Sequence, residues 1–215
     1  MFLSYKKAYA LLKKYKIPLV KSYFFLQLNE LSKPIKFDRP YVLKVDSPDI
    51  LHKTDAGCVI TNIKTNSELK SSLKGIMVNA FNYNPNARIE SFVLQEQVSG
   101  LELIVGSKLD KTFGKIILFG LGGIFTEVYN DVAIRALPLT EKDIDSMIKE
   151  IRAYKILKGY RGKTYNLNAL KNLISSVAEL LENEPIEEMD LNPVILNEKS
   201  ALVADWRIKL GGSDG

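Results

Sequence analysis

One cysteine, one histidine and one tryptophan occur in the 215 residues. With only Cys58, an internal disulfide framework and a cysteine-based zinc cluster are both excluded. With only His52, multi-histidine metal sites are excluded, and any imidazole chemistry must pass through that one residue. No run approaches ~18 apolar residues, so no membrane span is expected. The opening MFLSYKKAYALLKKYKIP has no long apolar stretch and reads as an amphipathic helix, not a signal peptide, which makes the cytoplasm the expected compartment. Basic residues outnumber acidic ones by 30 to 25, yet aromatics are not interleaved with the basic runs, so nucleic acid is not an expected partner. A diffuse lysine surplus suits a solvated surface, and would also draw in an anion such as a nucleotide.

What is present is the composition of a folded domain, 46% hydrophobic and 26% charged. Helical spacing marks residues 4–15, 67–83 (with Ser67 as N-cap), 141–153 (with Thr140 as N-cap) and 167–183. Short apolar or alternating runs predict strands at 41–45, 58–63, 92–97, 102–108, 115–119, 124–129 and 132–137, and a closing hairpin of 190–196 with 201–205. The order lacks a regular parallel βαβ rhythm, so the expected class is α+β, with antiparallel sheets and helices packed on one side in two lobes. The lobes are placed at 1–94 and 95–210, with 211–215 as a disordered tail.

The closing hairpin is the most informative piece. If Asn197–Ser200 is a four-residue turn, Leu196 pairs with Ala201, Val194 with Val203, and Asn192 with Asp205. Opposed residues share a face, so an amide oxygen and a carboxylate come together at the end of an apolar row. Such a pair suits Mg²⁺, which takes one or two protein oxygens and completes its shell with water and phosphate. The alternative is an Asp205 that pairs with a nearby cation or faces water.

Other residues are marked by being out of place. Lys44 lies inside the apolar run YVLKV and needs an anion, either a polyphosphate or a carboxylate such as Glu96 or Glu102. Arg135 lies in VAIRALPL and needs one as well, from protein or from phosphate. The segment FGLGGIFTE, with Gly122 and Gly123, is either a tight turn or a backbone cradle for phosphate. His52, in DILHKTDAG, is either a surface residue or a phosphoryl acceptor.

The strings LLKKYKIP, YVLKVDSPDILHKTDAG, QEQVSGLELIVG, FGKIILFGLGGIFTEVYNDVAIRALPLT, LKGYRGK and MDLNPV span residues 11–205 in one order. Together they resemble the β subunits of ADP-forming acyl-CoA synthetases, ATP-grasp proteins related to succinyl-CoA synthetase. The resemblance implies an ATP-grasp fold with adenine nucleotide, ATP or ADP, held between two α+β lobes. It implies nucleotide contacts from Lys44, Gly57, Gly122 and Gly123, a hinge of Gln95, Glu96 and Val98 meeting the adenine, and a ribose contact from Glu102. It further implies Mg²⁺ on Asn192 and Asp205, and Arg135 steadying the transferring phosphoryl group. His52 would relay that group to ADP, and Asp190 would brace the incoming phosphohistidine loop. The reaction implied is acyl-CoA + ADP + phosphate to carboxylate + CoA + ATP. A separate α subunit would carry the CoA-binding and CoA-ligase domains, in an α₂β₂ assembly. Alternatives are a stand-alone ATP-grasp carboxylate ligase and a succinyl-CoA synthetase-like β subunit. Cys58 departs from the family pattern, standing where a second glycine is usual.

Overall fold

Apolar alternation sorts the strands into two antiparallel sheets, one in each of two compact units. The computed structural model describes all residues except 33–34, 51, 123–130, 161 and 212–215. One unit comprises Ser4–Lys6 and Val20–Val98; the other comprises Met1–Leu3, Lys7–Leu19 and the described residues from Ser99 onward. The break therefore falls after Val98, and most of the first helix, α1 (Tyr5–Lys14), groups with the C-terminal unit. Tyr15 and Lys14 both donate to Glu184 Oε1, at 2.8 and 2.7 Å, and Val203 N donates to Pro18 O, which ties residues 14–18 into that unit.

The first sheet runs β1 (Ser22–Phe25), β4 (Ser91–Glu96), β2 (Tyr41–Asp46), β3 (Val59–Ile63), with every pair antiparallel. Phe25, Leu43, Val45, Phe92 and Leu94 share its core face with Leu69, Leu73, Ile76 and Ala80 of helix α2 (Asn66–Tyr83). Each of these Phe, Leu, Ile and Val side chains contributes ~1.5–3 kcal/mol of burial. Helix α2 begins one residue before the expected cap. Thr65, not Ser67, accepts from Glu68 N, while Glu68 Oε2 takes Lys64 N at 2.7 Å. Thr65 wins because Glu68 stands three residues on, the spacing at which a cap and a carboxylate satisfy free amides together.

The second sheet runs β10 (Trp206–Leu210), β8 (Ile186–Leu196), β5 (Leu101–Asp110), β6 (Gly114–Leu121), β7 (Val132–Ala136), with β9 (Ala201–Val203) also paired to β8. Helices α3 (Glu141–Glu150), α4 (Tyr154–Leu157) and α5 (Leu167–Asn183) complete this unit. Helix α5 buries Leu170, Leu173, Ile174, Val177, Leu180 and Leu181, the stripe expected from its spacing. Helix α3 carries a full capping box between Thr140 and Asp143. Three features exceed the sequence expectation: β8 starts at Ile186, β10 extends the hairpin, and α4 forms at all. The predicted strand at 124–129 lies outside the described residues. So does the expected disordered tail beyond Gly211, whose amide donates to Pro185 O at 2.8 Å.

The closing ribbon has the predicted register. Val194 pairs with Val203 and Leu196 with Ala201; β10 takes up the same register, Leu191 facing Trp206 and Asp190 facing Arg207, and shifts only between Lys209 and Leu210. Asn192 N accordingly donates to Asp205 O at 3.2 Å. On its other side β8 bulges. Leu103 opposes Val194, but Val105 opposes Leu191, so β8 has one residue more than β5 between those pairs. A bulge resets the alternation of side chains. Met189, Leu191, Val194 and Leu196 are thus all buried on the core face, and Asp190 and Asn192 fall on the opposite one. The sequence reading put Asn192 at the end of the apolar row of Val194 and Leu196; the bulge turns it away from that row.

Candidate functional site

In the N-terminal unit the polar face of the sheet is set by pairing. Lys44 opposes Val93, Val42 opposes Gln95, and Asp46 opposes Ser91. Lys44 and Gln95 therefore share the face turned away from the core cluster, two residues apart along the strands, or ~7 Å. Lys44 is 5% exposed and Gln95 1%. Gln95 Nε2 donates to Ser22 Oγ at 3.1 Å, and Ser22 Oγ donates to Val20 O at 3.0 Å. Burial pushes the Asp46 carboxyl up, opposed by the Ser91 hydroxyl that donates to it at 3.0 Å. Glu96 opposes Tyr41 on the other face and pairs with Lys21 at 3.3 Å; Val98 is half-buried at the unit's end.

The His52 segment is a tight coil closed by its own amides. Ala56 N donates to His52 O, Gly57 N to Thr54 O and Cys58 N to Lys53 O. His52 is exposed on it. Gly57 has φ +62°, and a side chain there would meet Asn79 Nδ2 at 2.9 Å. That amide nitrogen donates to Gly57 O at 2.8 Å, pinning the loop to α2. Cys58 points into the core, fully buried, its thiol 3.5 Å from Ala56 O, and burial raises its pKa. It acts as a small core side chain and leaves the loop's amides untouched.

In the C-terminal unit, Asp190, Asn192 and Asp205 gather at the bulge. Burial raises Asp190 to about 6, reinforced by the Asp205 charge and opposed by Arg207 across the ribbon. Asp190 Oδ1 and Arg207 Nε are buried without a hydrogen-bond partner among the described residues, and the Arg207 guanidinium lies 4.3 Å from the Phe2 ring centroid. Asp205 Oδ1 accepts from Trp206 N at 2.9 Å. No three His, Cys, Asp or Glu side chains among the described residues form a metal-holding group. An amide oxygen, a carboxylate and a nearby orphaned carboxylate oxygen fit Mg²⁺, which needs few protein ligands when phosphate supplies the rest.

Glu102 lies on the same face of β5 as Gly106, the residue that opposes Asp190, and is exposed. Gly122 N donates to Glu102 O at 2.9 Å, and a side chain at Gly122 would come within 3.0 Å of Leu103 O. Close backbone approach therefore favours glycine at position 122, where a side chain would have to push the neighbouring strand aside by a few tenths of an ångström. Gly123 lies outside the described residues.

Arg135 is not brought to this group. It opposes Ile117, fully buried on the core face, whereas Asp190 and Asn192 lie on the other. Its guanidinium donates to Ser146 Oγ at 2.8 Å and to Glu150 Oε2 at 2.5 Å, both on α3. Glu150 is thus a protein carboxylate that pairs with Arg135. Strand parity turns Arg135 toward the helices, away from the face that carries Asp190 and Asn192.

Ser22, Asn79 and Arg207 were not foreseen. Continuing the hairpin register two residues past Asp205 would have found Arg207 opposite Asp190. Nothing in the sequence marks Ser22 or Asn79, whose partners come from other elements.

Two antiparallel sheets, one carrying a buried lysine and the other an amide and a carboxylate on its closing ribbon, define an α+β protein. The chain belongs to the ATP-grasp family: the model of the ATP-grasp domain matches residues 1–210. It is 42% identical over 211 residues to the β subunit of ADP-forming acetate–CoA ligase I of Pyrococcus furiosus, covering 95% of this chain and 90% of the relative. Among solved structures, it resembles the acetyl-coenzyme A synthetase 1 of Candidatus Korarchaeum cryptofilum in complex with coenzyme A and Ca-AMPCP. That match has a TM-score of 0.91 and 39% identity, covering 98% of this chain and 93% of the other. A second structure of that enzyme contains coenzyme A and Mg-AMPPCP, with its phosphohistidine segment pointing towards the nucleotide-binding site. It matches with a TM-score of 0.79 and 37% identity over 97% of this chain and 92% of the other. No helix among the described residues is long and apolar enough to cross a membrane.

Proposed function

We propose that this chain is the nucleotide-binding subunit of an ADP-forming acyl-CoA ligase, working in the cytosol with a separate α subunit that handles CoA and the acyl group. The observation that carries the reading is the ribbon register, which sets Asn192 opposite Asp205 with Asp190 beside them, in a chain of this family. Phosphoryl transfer needs positioning and charge neutralisation more than covalent work. Asn192 and Asp205 would hold Mg²⁺, which when bound neutralises the phosphate oxygens. Lys44 contributes a fixed positive charge to the diphosphate, and Gln95 meets the base. Glu102 takes the ribose hydroxyls, and Gly122 keeps backbone close to backbone beneath them.

His52 accepts the phosphoryl group at a ring nitrogen from the α subunit's phosphohistidine, one P–N bond forming as another breaks. The terminal oxygen of ADP then attacks phosphorus, and the His52 P–N bond breaks to leave ATP and free imidazole. Asp190 receives the partner's phosphohistidine segment.

The test is calorimetric titration of ADP into the full chain with and without Mg²⁺. Binding should require the metal, and Asp205→Ala should weaken it roughly ten- to a hundredfold, the worth of one charge-assisted contact. With an α subunit phosphorylated on its histidine, label should appear on this chain and vanish in His52→Ala. Absence of Mg²⁺-dependent ADP binding at millimolar concentration would overturn the reading.

A further inference from the structure

Resting on that reading, we infer that Ser22 makes the site selective for a 6-aminopurine over a 6-oxopurine, by fixing the orientation of the Gln95 amide. Ser22 has one hydroxyl proton, and Ser22 Oγ spends it on Val20 O at 3.0 Å. Toward Gln95 the oxygen can then only accept. The Gln95 amide must turn its NH₂ to Ser22, and Nε2 does donate to Ser22 Oγ at 3.1 Å. The opposite rotamer would set two acceptors against each other. Gln95 and Ser22 are direct cross-strand partners, so neither can drift from the other.

The amide oxygen is what remains. Among the described residues no donor reaches Gln95 Oε1, and it is not one of the fully enclosed unpartnered atoms. It lies on the face of Lys44, ~7 Å along the strands from it, so a nucleotide whose phosphates meet Lys44 brings its base to this oxygen. An acceptor there pairs with the exocyclic amine of adenine. Against the carbonyl of a 6-oxopurine it sets oxygen against oxygen, and a buried acceptor left facing another costs affinity. The polarity runs outward from one backbone carbonyl: Val20 fixes Ser22, Ser22 fixes Gln95, and Gln95 selects the base.

The experiment titrates Mg·ADP and Mg·IDP into the full chain, IDP being chosen because it exchanges the 6-amino for a 6-oxo group without adding a 2-amino group. The natural chain should bind ADP about tenfold or more tightly than IDP, the worth of one good hydrogen bond against a mismatch. Ser22→Ala frees the amide to rotate and should bring the ratio to within about threefold, chiefly by improving IDP. Ser22→Thr keeps the hydroxyl and should keep the preference. Gln95→Met removes the acceptor and should lose the preference through weaker ADP binding, a split that mere structural damage would not give. Thermal melts of each variant check the fold. Equal binding of ADP and IDP by the natural chain, or an undiminished preference in Ser22→Ala, overturns the inference while the nucleotide-binding reading stands. Failure of both nucleotides to bind overturns both.

Discussion

Asp46 and Asp190 are carboxyls that the fold holds above the ordinary range, Asp190 at about 6. A raised value means that the folded chain binds the proton more tightly than the unfolded chain. The stability gained is full below the unfolded value near ~4 and is lost as pH rises through the folded one. In metal-free protein, Asp190→Asn should therefore match the natural chain near pH ~4 and exceed it above pH ~7, by up to about 3 kcal/mol. Denaturant unfolding in EDTA at the two pH values measures this; an equal effect at both would refute the burial argument. Asp46→Asn should show the same sign. At this scale the sequence marked the residues well and their partners unevenly. Lys44 in an apolar run announces a buried cation, and it is buried. Arg135 announces one too, but strand parity, visible only once β6 and β7 are paired, sends it to Glu150.

Elements were legible wherever one period ran uninterrupted. The stripe of α5 and the pairing of β8 with β9 follow from spacing alone. Leu173 is fully buried in that stripe, and Leu173→Ala should cost ~2–5 kcal/mol, read from chemical denaturation. Thr140 caps α3 through Asp143 N, and Asp143 Oδ2 takes Thr140 N at 2.8 Å. Thr140→Ala should cost about 1 kcal/mol and lower the melting temperature by ~2–4 °C, with ADP binding unchanged. What spacing could not give is the bulge in β8, because its extra residue is defined by β5, nearly 90 positions away. Without it Asn192 reads as an extension of the core row. With it, Asp190 and Asn192 leave the core face while Leu191 and Val194 both stay on it.

For the whole molecule, the resemblance of six ordered strings carried the family and the fold, while the division into units after Val98 depends on long-range packing. Purified alone, the chain should bind Mg·ADP yet form no ATP from acetyl-CoA, ADP and phosphate. Adding an α subunit should start the reaction, and a luciferase assay for ATP follows it. ATP production by the chain alone would point to a self-sufficient ligase.

Cys58 also provides a probe. The only thiol in 215 residues sits fully buried in the core of the N-terminal unit, between the His52 coil and α2. An alkylating reagent can reach it only when that core opens, so the labelling rate of unmodified protein times the breathing of one unit. No engineered cysteine is needed, and nucleotide that grips the His52 coil should slow the clock.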